Sequence, residues 1–508
     1  MTVARTWAAG LTGLDGGLVA VEADLSNQTP GFRIIGLPDK ALGEAVQRVH
    51  NACANNGLPL PRRRLTVNLS PASVPKQGSA FDVAIAIASL ATEMRMDALR
   101  LSRTMHVGEL GLDGRLRPVP GVLPAVHAAA QAGVHRVVVP HANRAEAELI
   151  RGVEVLGAVN LAEVAAWHGA DVVPVPMEPV THEAAAPASG DDVDLADVIG
   201  QREAVEAMVA AAAGGHHVMM CGPPGAGKTM LARRLPGILP DLDDAAALTA
   251  ASIRSLSGQP IASISHTPPF EAPHHTASVA ALVGGGSRIV RPGAIARASE
   301  GVLFLDEAGE FPAHCLDALR QPLEKGEITI DRAGITATFP ARFQLVLATN
   351  PCPCGDYGIR GGDCTCPPSA IRRYLGRLSG PLLDRMDIQL SLTRVVVAHA
   401  DDSVPRPTTA SSRVRVTAAR ARAARRLKDT PWRVNAHVKG TWLRTGPMAP
   451  APDVRRPLDT ALRSGALTLR GYDRVLRVAW TLADLEEESR LTPAHIGRAL
   501  YLKKGIAA

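Results

Sequence analysis

Gly222-Pro-Pro-Gly-Ala-Gly-Lys-Thr229 follows the apolar run Val218-Met-Met-Cys221 and matches G-x-x-x-x-G-K-T. Its glycines let backbone N–H groups turn inward around phosphates, Lys228 can reach the β- and γ-phosphates, and the Thr229 hydroxyl can ligate Mg²⁺. A helix starting near Gly227 would add its positive end. A structural glycine-rich turn is the alternative, and the strand-to-helix context argues against it. The expected nucleotide-binding residues are Gly222, Pro223, Pro224, Gly225, Ala226, Gly227, Lys228 and Thr229, with ATP and Mg²⁺ as cofactors.

Further along, Gly301-Val-Leu-Phe-Leu-Asp306-Glu307 reads as a buried parallel strand carrying two carboxylates at its C-terminal tip, where ligands bind in open α/β sheets. Asp306 suits Mg²⁺; Glu307 suits orientation and deprotonation of an attacking water. Phe343–Thr349 reads as another strand, with Asn350 at its tip to hold that water or the γ-phosphate; an ordinary Asn turn before Pro351 is the alternative. Arg385 could serve as an arginine finger on a neighbouring subunit or pair with Asp384 or Asp387 in its own. Arg470, at the start of a C-terminal helix, could sense nucleotide from a lid, as could Arg474 or Arg477; a solvated basic face is the alternative.

The chain is long enough, at 508 residues, for about three or four domains. Aromatic residues make up only 3 %, so Ala, Val and Leu must fill the cores. Residues 1–171 alternate strand-like runs (Leu18–Glu22, Leu65–Asn68, Arg136–Pro140) with a helical stretch, Phe81–Ala91. Residues 172–194 are rich in Pro, Ala and Glu and read as a linker. Residues 195–400 form the nucleotide-binding module, with strands at 217–221, 301–305 and 343–349. A polar segment, 401–412, precedes a mostly helical region, 413–508, in which Arg413–Lys428 and Arg470–Glu487 are the clearest helices. Neither a secretory leader nor a membrane-length apolar run is legible, so a soluble, cytoplasmic protein without membrane contact is expected. The net charge of +6 does not by itself mark a nucleic-acid binder.

Four of the seven cysteines, Cys352, Cys354, Cys364 and Cys366, crowd into one segment. Four thiolates can hold Zn²⁺, although C-x-C is tighter than the common C-x-x-C; reduced thiols in a tight loop and a redox switch stay open. Cys53, Cys221 and Cys315 read as isolated core residues. Arg413, Arg415, Arg420, Arg422, Arg425, Arg426 and Lys428 form a basic run that suits either DNA phosphate or a solvated helix face. Glu327–Thr338 reads as a hairpin with Arg332 at its tip, and Ala281–Arg288 as a flexible insertion. His274-His275 lack nearby metal-ligand partners and read as structural or loop residues.

Taken together, Asp197-Val-Ile-Gly-Gln201, Ala213-Gly-Gly-His216, Ala272-Pro-His-His275, Phe339-Pro-Ala-Arg-Phe343, Asn350-Pro-Cys-Pro-Cys-Gly355, Leu378–Arg385 and Arg470-Gly-Tyr-Asp-Arg474 resemble the Mg-chelatase-like AAA+ ATPases of the YifB/ComM family. So do Val67-Asn-Leu-Ser-Pro71, Lys76-Gln-Gly78, Phe81-Asp82 and Gly108–Gly114, which extends the resemblance over nearly the whole chain. It implies an α/β fold: a Lon-protease-like N-terminal domain, an AAA+ core and a helical C-terminal lid, assembled as a ring, a hexamer. It also implies DNA as partner, since ComM members are helicases that promote branch migration. Mg-chelatase relatives work instead with partner subunits. In the ring the hairpin would enter the pore, with Ala281–Arg288 as a second pore loop. Pro268 and Glu271 stand where relatives commonly carry Arg, Thr349 where Met is common, and Trp480 where Arg is common. The Lon-type Ser–Lys dyad would fall at Ala80 and near Leu123, with Ser79 one residue off, so a fold without proteolysis is expected. Lys76 is then a fold residue or a contact to DNA or a partner.

Overall fold

The computed structural model describes residues 3–36, 40–71, 73–74, 76, 78–181, 193–286, 290–332, 335–359, 362–394 and 405–504. Arg288, the hairpin tip at 333–334, residues 182–192 of the expected linker and residues 395–404 lie outside the described residues, as does the side chain of Arg332.

In Arg64–Ser70 every second residue, Leu65, Val67 and Leu69, is buried, the period of a strand with one packed face. This strand belongs to a seven-stranded sheet in the order Gly31–Ile35, Arg64–Ser70, Asp15–Ser26, Ala4–Thr12, Thr104–His106, Arg136–Pro140, Glu154–Ala158. Asp82–Leu90 is apolar all round and buried along its whole length. Lys76 is 2 % exposed, and its ammonium donates to Pro71 O at 2.6 Å and Val74 O at 3.0 Å, which makes it a fold residue. The Ser79 hydroxyl hydrogen-bonds the Glu109 carboxylate, and Leu123 is fully buried.

Two buried histidines add a pH dependence to this domain. Thr6 Oγ1 lies 2.8 Å from His106 Nδ1, and His106 Nε2 lies 2.9 Å from His168 Nε2. Burial, reinforced by Arg100, brings His168 down to about 4, and burial also lowers His106. Both are neutral in the folded chain, whereas the unfolded chain takes up a proton near pH 6.5 (about the free-histidine value). The stability contributed by His168 is therefore complete above about pH 6.5 and is lost as pH falls towards 4, about 2 kcal/mol by pH ~5. We expect the melting temperature of this domain to drop from about pH 7.5 to about pH 5, and His168→Phe to flatten the drop. A wild-type melting temperature constant over that range would refute the assignment.

The second sheet is parallel throughout, in the order Phe270–Glu271, Val302–Leu305, Gln344–Thr349, Val218–Cys221, Ile388–Ser391. Val302–Leu305 and Gln344–Thr349 are buried at every position, as a strand covered on both faces must be, which is why they read as unbroken apolar runs. Cys221 pairs with Thr349 and Leu305 with Leu347. This register brings Gly222, Asp306 and Asn350 out at one edge of the sheet.

The C-terminal helices Thr409–Arg426, Pro452–Arg463, Leu469–Leu485 and Pro493–Lys504 share one hydrophobic core with the helix Arg202–Gly214 and this sheet. The first begins four residues before the expected Arg413, because Thr408 and Ser411 form a reciprocal cap. No helix among the described residues is long and apolar enough to cross a membrane.

The hairpin Glu327–Arg332/Ile335–Pro340 is anchored at its base: Ile328, Ile330, Ala337 and Phe339 are buried. Against it lies the turn at Gly13, with φ +65°, where an added Cβ would come within 2.2 Å of Thr338 O. A side chain at Gly13 would force the turn or the hairpin to shift.

Candidate functional site

Gly225 and Gly227 adopt φ +78° and +79°, values that side chains resist, and they wrap the loop around the start of the helix Lys228–Ile238. No side chain caps that helix, so its first N–H groups face the loop, as anion binding requires. Lys228 is 8 % exposed, and its ammonium donates to Gly222 O at 2.7 Å, Pro223 O at 3.0 Å and Asn350 Oδ1 at 2.9 Å. Burial lowers its pKa, opposed by Asp306, Cys221 and Glu307. Thr229 Oγ1 donates to Asp306 Oδ2 at 2.6 Å, an oxygen pair of the type that Mg²⁺ takes. The residues expected at the nucleotide site, from three stretches of sequence, thus meet at one sheet edge.

Glu307 has φ +51°, uncommon for a residue with a side chain and of the kind found where geometry is held for function. Its N–H donates to Asp306 Oδ1 at 2.9 Å, and its carboxylate lies 2.9 Å from His275 Nδ1. His275 stacks on His274, ring centroids 4.1 Å apart. The sequence reading gave His275 no part in this site. The contact spans 32 residues and joins a loop to a strand tip, so no local spacing betrays it.

The four cysteine sulfurs all lie within 4.8 Å of one another. Cys352 is buried, and its Sγ accepts from the Gly355 and Tyr357 N–H groups at 3.2 and 3.4 Å. A hydrogen bond from the Asp356 backbone, with help from Cys352, pulls the Cys354 thiol down to about 6. The donor set suits a four-thiolate metal site.

The arginines fall differently from expectation. Arg385 is 7 % exposed; it ion-pairs with Glu324 and donates to Pro381 O at 2.5 Å. Neither aspartate expected as its in-chain partner takes that place. Asp387 instead binds Arg474 at 2.6 Å. Burial would raise the Asp387 pKa, but Arg474 and His216 hold it well below the usual range. Asp387 accompanies His217 at the N-terminal edge of the sheet, with its side chain accepting from the His217 N–H at 3.0 Å, whereas the phosphate loop leaves the opposite edge. Arg470, exposed one turn before Arg474, therefore stands away from the phosphate loop of its own chain, and Arg477 donates to Val438 O at 2.8 Å.

The basic helix is largely committed within the chain. Arg413 pairs with Asp241, Arg415 with Glu206 at 2.8 Å, and Arg426 with Asp484. Arg420 donates to Ala212 O at 2.7 Å, and Arg422 to Asp484 O at 2.9 Å. These arginines dock the C-terminal helices on the core, so DNA phosphate would have to displace existing partners.

Three family models for magnesium chelatase match in succession: subunit ChlI of Mg-chelatase over residues 21–143, magnesium chelatase subunit ChlI over 194–400, and the ChlI C-terminal region over 406–503. The competence protein ComM of Haemophilus influenzae is 40 % identical over 98 % of this chain and 97 % of its own length. The chain belongs to the ComM/YifB family of Mg-chelatase-like AAA+ proteins. YifB of Escherichia coli is 39 % identical over 95 % of this chain and 93 % of its own. An uncharacterized protein of Mycobacterium tuberculosis is 47 % identical over 96 % and 95 %.

Three of the positions singled out in the sequence have a local account. Glu271 is held by Arg297 at 3.0 Å, so the pair is neutral. Thr349 donates to the neighbouring Asn350 O at 3.1 Å. Trp480 carries the Arg426 guanidinium over its ring at 4.6 Å.

Proposed function

We propose that this protein is an ATP-hydrolysing ring motor on DNA, a ComM-like helicase that promotes branch migration in recombination or transformation. It would work as a homo-oligomer, a hexamer, in the cytoplasm on single-stranded or branched DNA. The observation that carries this reading is the near full-length similarity to a competence protein together with Lys228, Thr229, Asp306, Glu307 and Asn350 at one sheet edge. In this reading residues 1–171 are a Lon-protease-like domain without proteolysis, 195–400 the AAA+ core and 413–508 the lid.

Lys228 exchanges the Gly222 and Pro223 carbonyls for phosphate oxygens, and the glycine backbone cradles them. Thr229 and Asp306 would hold Mg²⁺, which would supply positive charge against the phosphates. Asn350 orients the attacking water and Glu307 takes its proton. Arg385 and Arg470 act on the nucleotide of a neighbouring chain, Arg385 after leaving Glu324. The four cysteines would hold Zn²⁺. A chelatase-like remodeller acting on a protein partner is the second reading, favoured by the neutral Glu271–Arg297 pair where relatives commonly place an arginine.

The test is steady-state ATP turnover with single-stranded, duplex and four-way-junction DNA. Strong stimulation by branched or single-stranded DNA is expected, together with loss of turnover in Lys228→Ala. Turnover indifferent to every DNA would sink the helicase reading in favour of the remodeller, and an active Lys228→Ala would sink the site assignment.

A further inference from the structure

The cysteine-bearing loop is built onto the phosphate loop. Gly355, with φ +90°, sits so close to Pro224 that an added Cβ would lie 2.4 Å from its Cδ. Arg394 spans the two loops, donating to Asp356 Oδ1 at 3.2 Å and to Pro224 O at 3.5 Å. Two residues before Cys352, Asn350 accepts from Lys228 at 2.9 Å. The 350–356 segment therefore touches the crown of the phosphate loop at one end and its lysine at the other.

The sulfur geometry suits a tetrahedral metal. Zn–S bonds of about 2.3 Å place tetrahedral sulfurs about 3.8 Å apart. Cys352 and Cys364 are 3.8 Å apart, Cys354 and Cys364 3.6 Å, and Cys352 and Cys354 3.2 Å. The N–H groups of Gly355 and Tyr357 already point at the Cys352 sulfur, so the turn that abuts Pro224 is shaped around that ligand. Metal binding, with loss of the thiol protons, would lock this turn, and through Gly355 and Asn350 it would lock the phosphate loop and lysine.

We propose that Zn²⁺ on Cys352, Cys354, Cys364 and Cys366 is a structural latch on the phosphate loop, so that metal and nucleotide each strengthen the other's binding. This inference rests on the nucleotide-site and zinc readings above. Linkage makes the effect reciprocal: metal removal weakens nucleotide affinity by the same factor by which nucleotide removal weakens metal affinity. Couplings between sites typically amount to about 5- to 150-fold.

The experiment uses full-length protein purified under reducing conditions without chelator. Metal analysis is expected to find zinc close to one per chain, and Co²⁺ exchanged into the site should show thiolate-to-metal absorption. Binding of a fluorescent ATP analogue is then compared in zinc-loaded and chelator-stripped protein, with circular dichroism to confirm that both are folded. We expect affinity about 5- to 150-fold weaker after stripping, restored by Zn²⁺. Arg394→Ala, an exposed substitution that leaves all four thiols, should keep the metal and shrink that factor. Zinc near zero with no Co²⁺–thiolate absorption overturns the metal site. Stoichiometric zinc with unchanged analogue affinity overturns the latch alone. Zinc-loaded protein that fails to bind the analogue overturns the nucleotide reading and the latch with it.

Discussion

Glu307→Gln lowers ATP turnover by about two to four orders of magnitude, the usual contribution of a positioned general base, while nucleotide binding persists. The amide keeps the size of the carboxylate but cannot accept the proton from water. Binding is expected to persist because the proposed phosphate contacts belong to Lys228, Thr229 and the glycine backbone, none of which the substitution touches. The contact from His275 sharpens the expectation. At 2.9 Å it engages one carboxylate oxygen, Oε2, and leaves the other for water. Turnover assays with parallel fluorescent-nucleotide titrations read both quantities. A variant that retains more than about a tenth of wild-type turnover removes Glu307 from the role of base.

Arg385→Ala is expected to reduce turnover by about three to five orders of magnitude if its guanidinium serves a neighbouring chain's γ-phosphate, the range found for arginine fingers. The in-chain pair with Glu324 supplies the competing explanation, in which the same substitution mainly destabilises the fold. Glu324 is half-exposed, so that ion pair stabilises little. The two explanations separate in a mixing experiment. Arg385→Ala chains offer an intact Glu307, and Glu307→Gln chains offer an intact Arg385. If the finger works between chains, mixing the two inactive proteins restores part of the turnover, because some sites pair the good halves. Mixtures as inactive as their components, with a lowered melting temperature for Arg385→Ala, would assign Arg385 to its own chain.

The candidate nucleotide site was legible because each part carries its own local signature. The phosphate loop needs glycine where φ is positive, and Asp306 and Asn350 follow apolar runs that could only be buried parallel strands. The cysteines were legible as a group because they lie within 15 residues of one another. The arginines were not. The sequence leaves Arg385 between a finger and a pair with Asp384 or Asp387, and gives Arg474 and the basic run no in-chain partner, yet the partners Glu324, Asp387, Glu206, Asp241 and Asp484 lie between 58 and 209 residues away. A charge has no periodicity that announces its partner, whereas an apolar face does.

Local chemistry in the sequence was therefore sufficient for the α/β character, the phosphate loop, the two carboxylates and the cysteine group, since each depends on neighbours a few residues away. The tertiary structure decided what faces what: His275 on Glu307, Gly355 on Pro224, Gly13 on the hairpin, and Arg474 of the helix Leu469–Leu485 at the edge of the sheet away from the phosphate loop. Those contacts arise from packing distant elements into shared cores, where burial selects the arrangement and side chains far apart in the chain become partners.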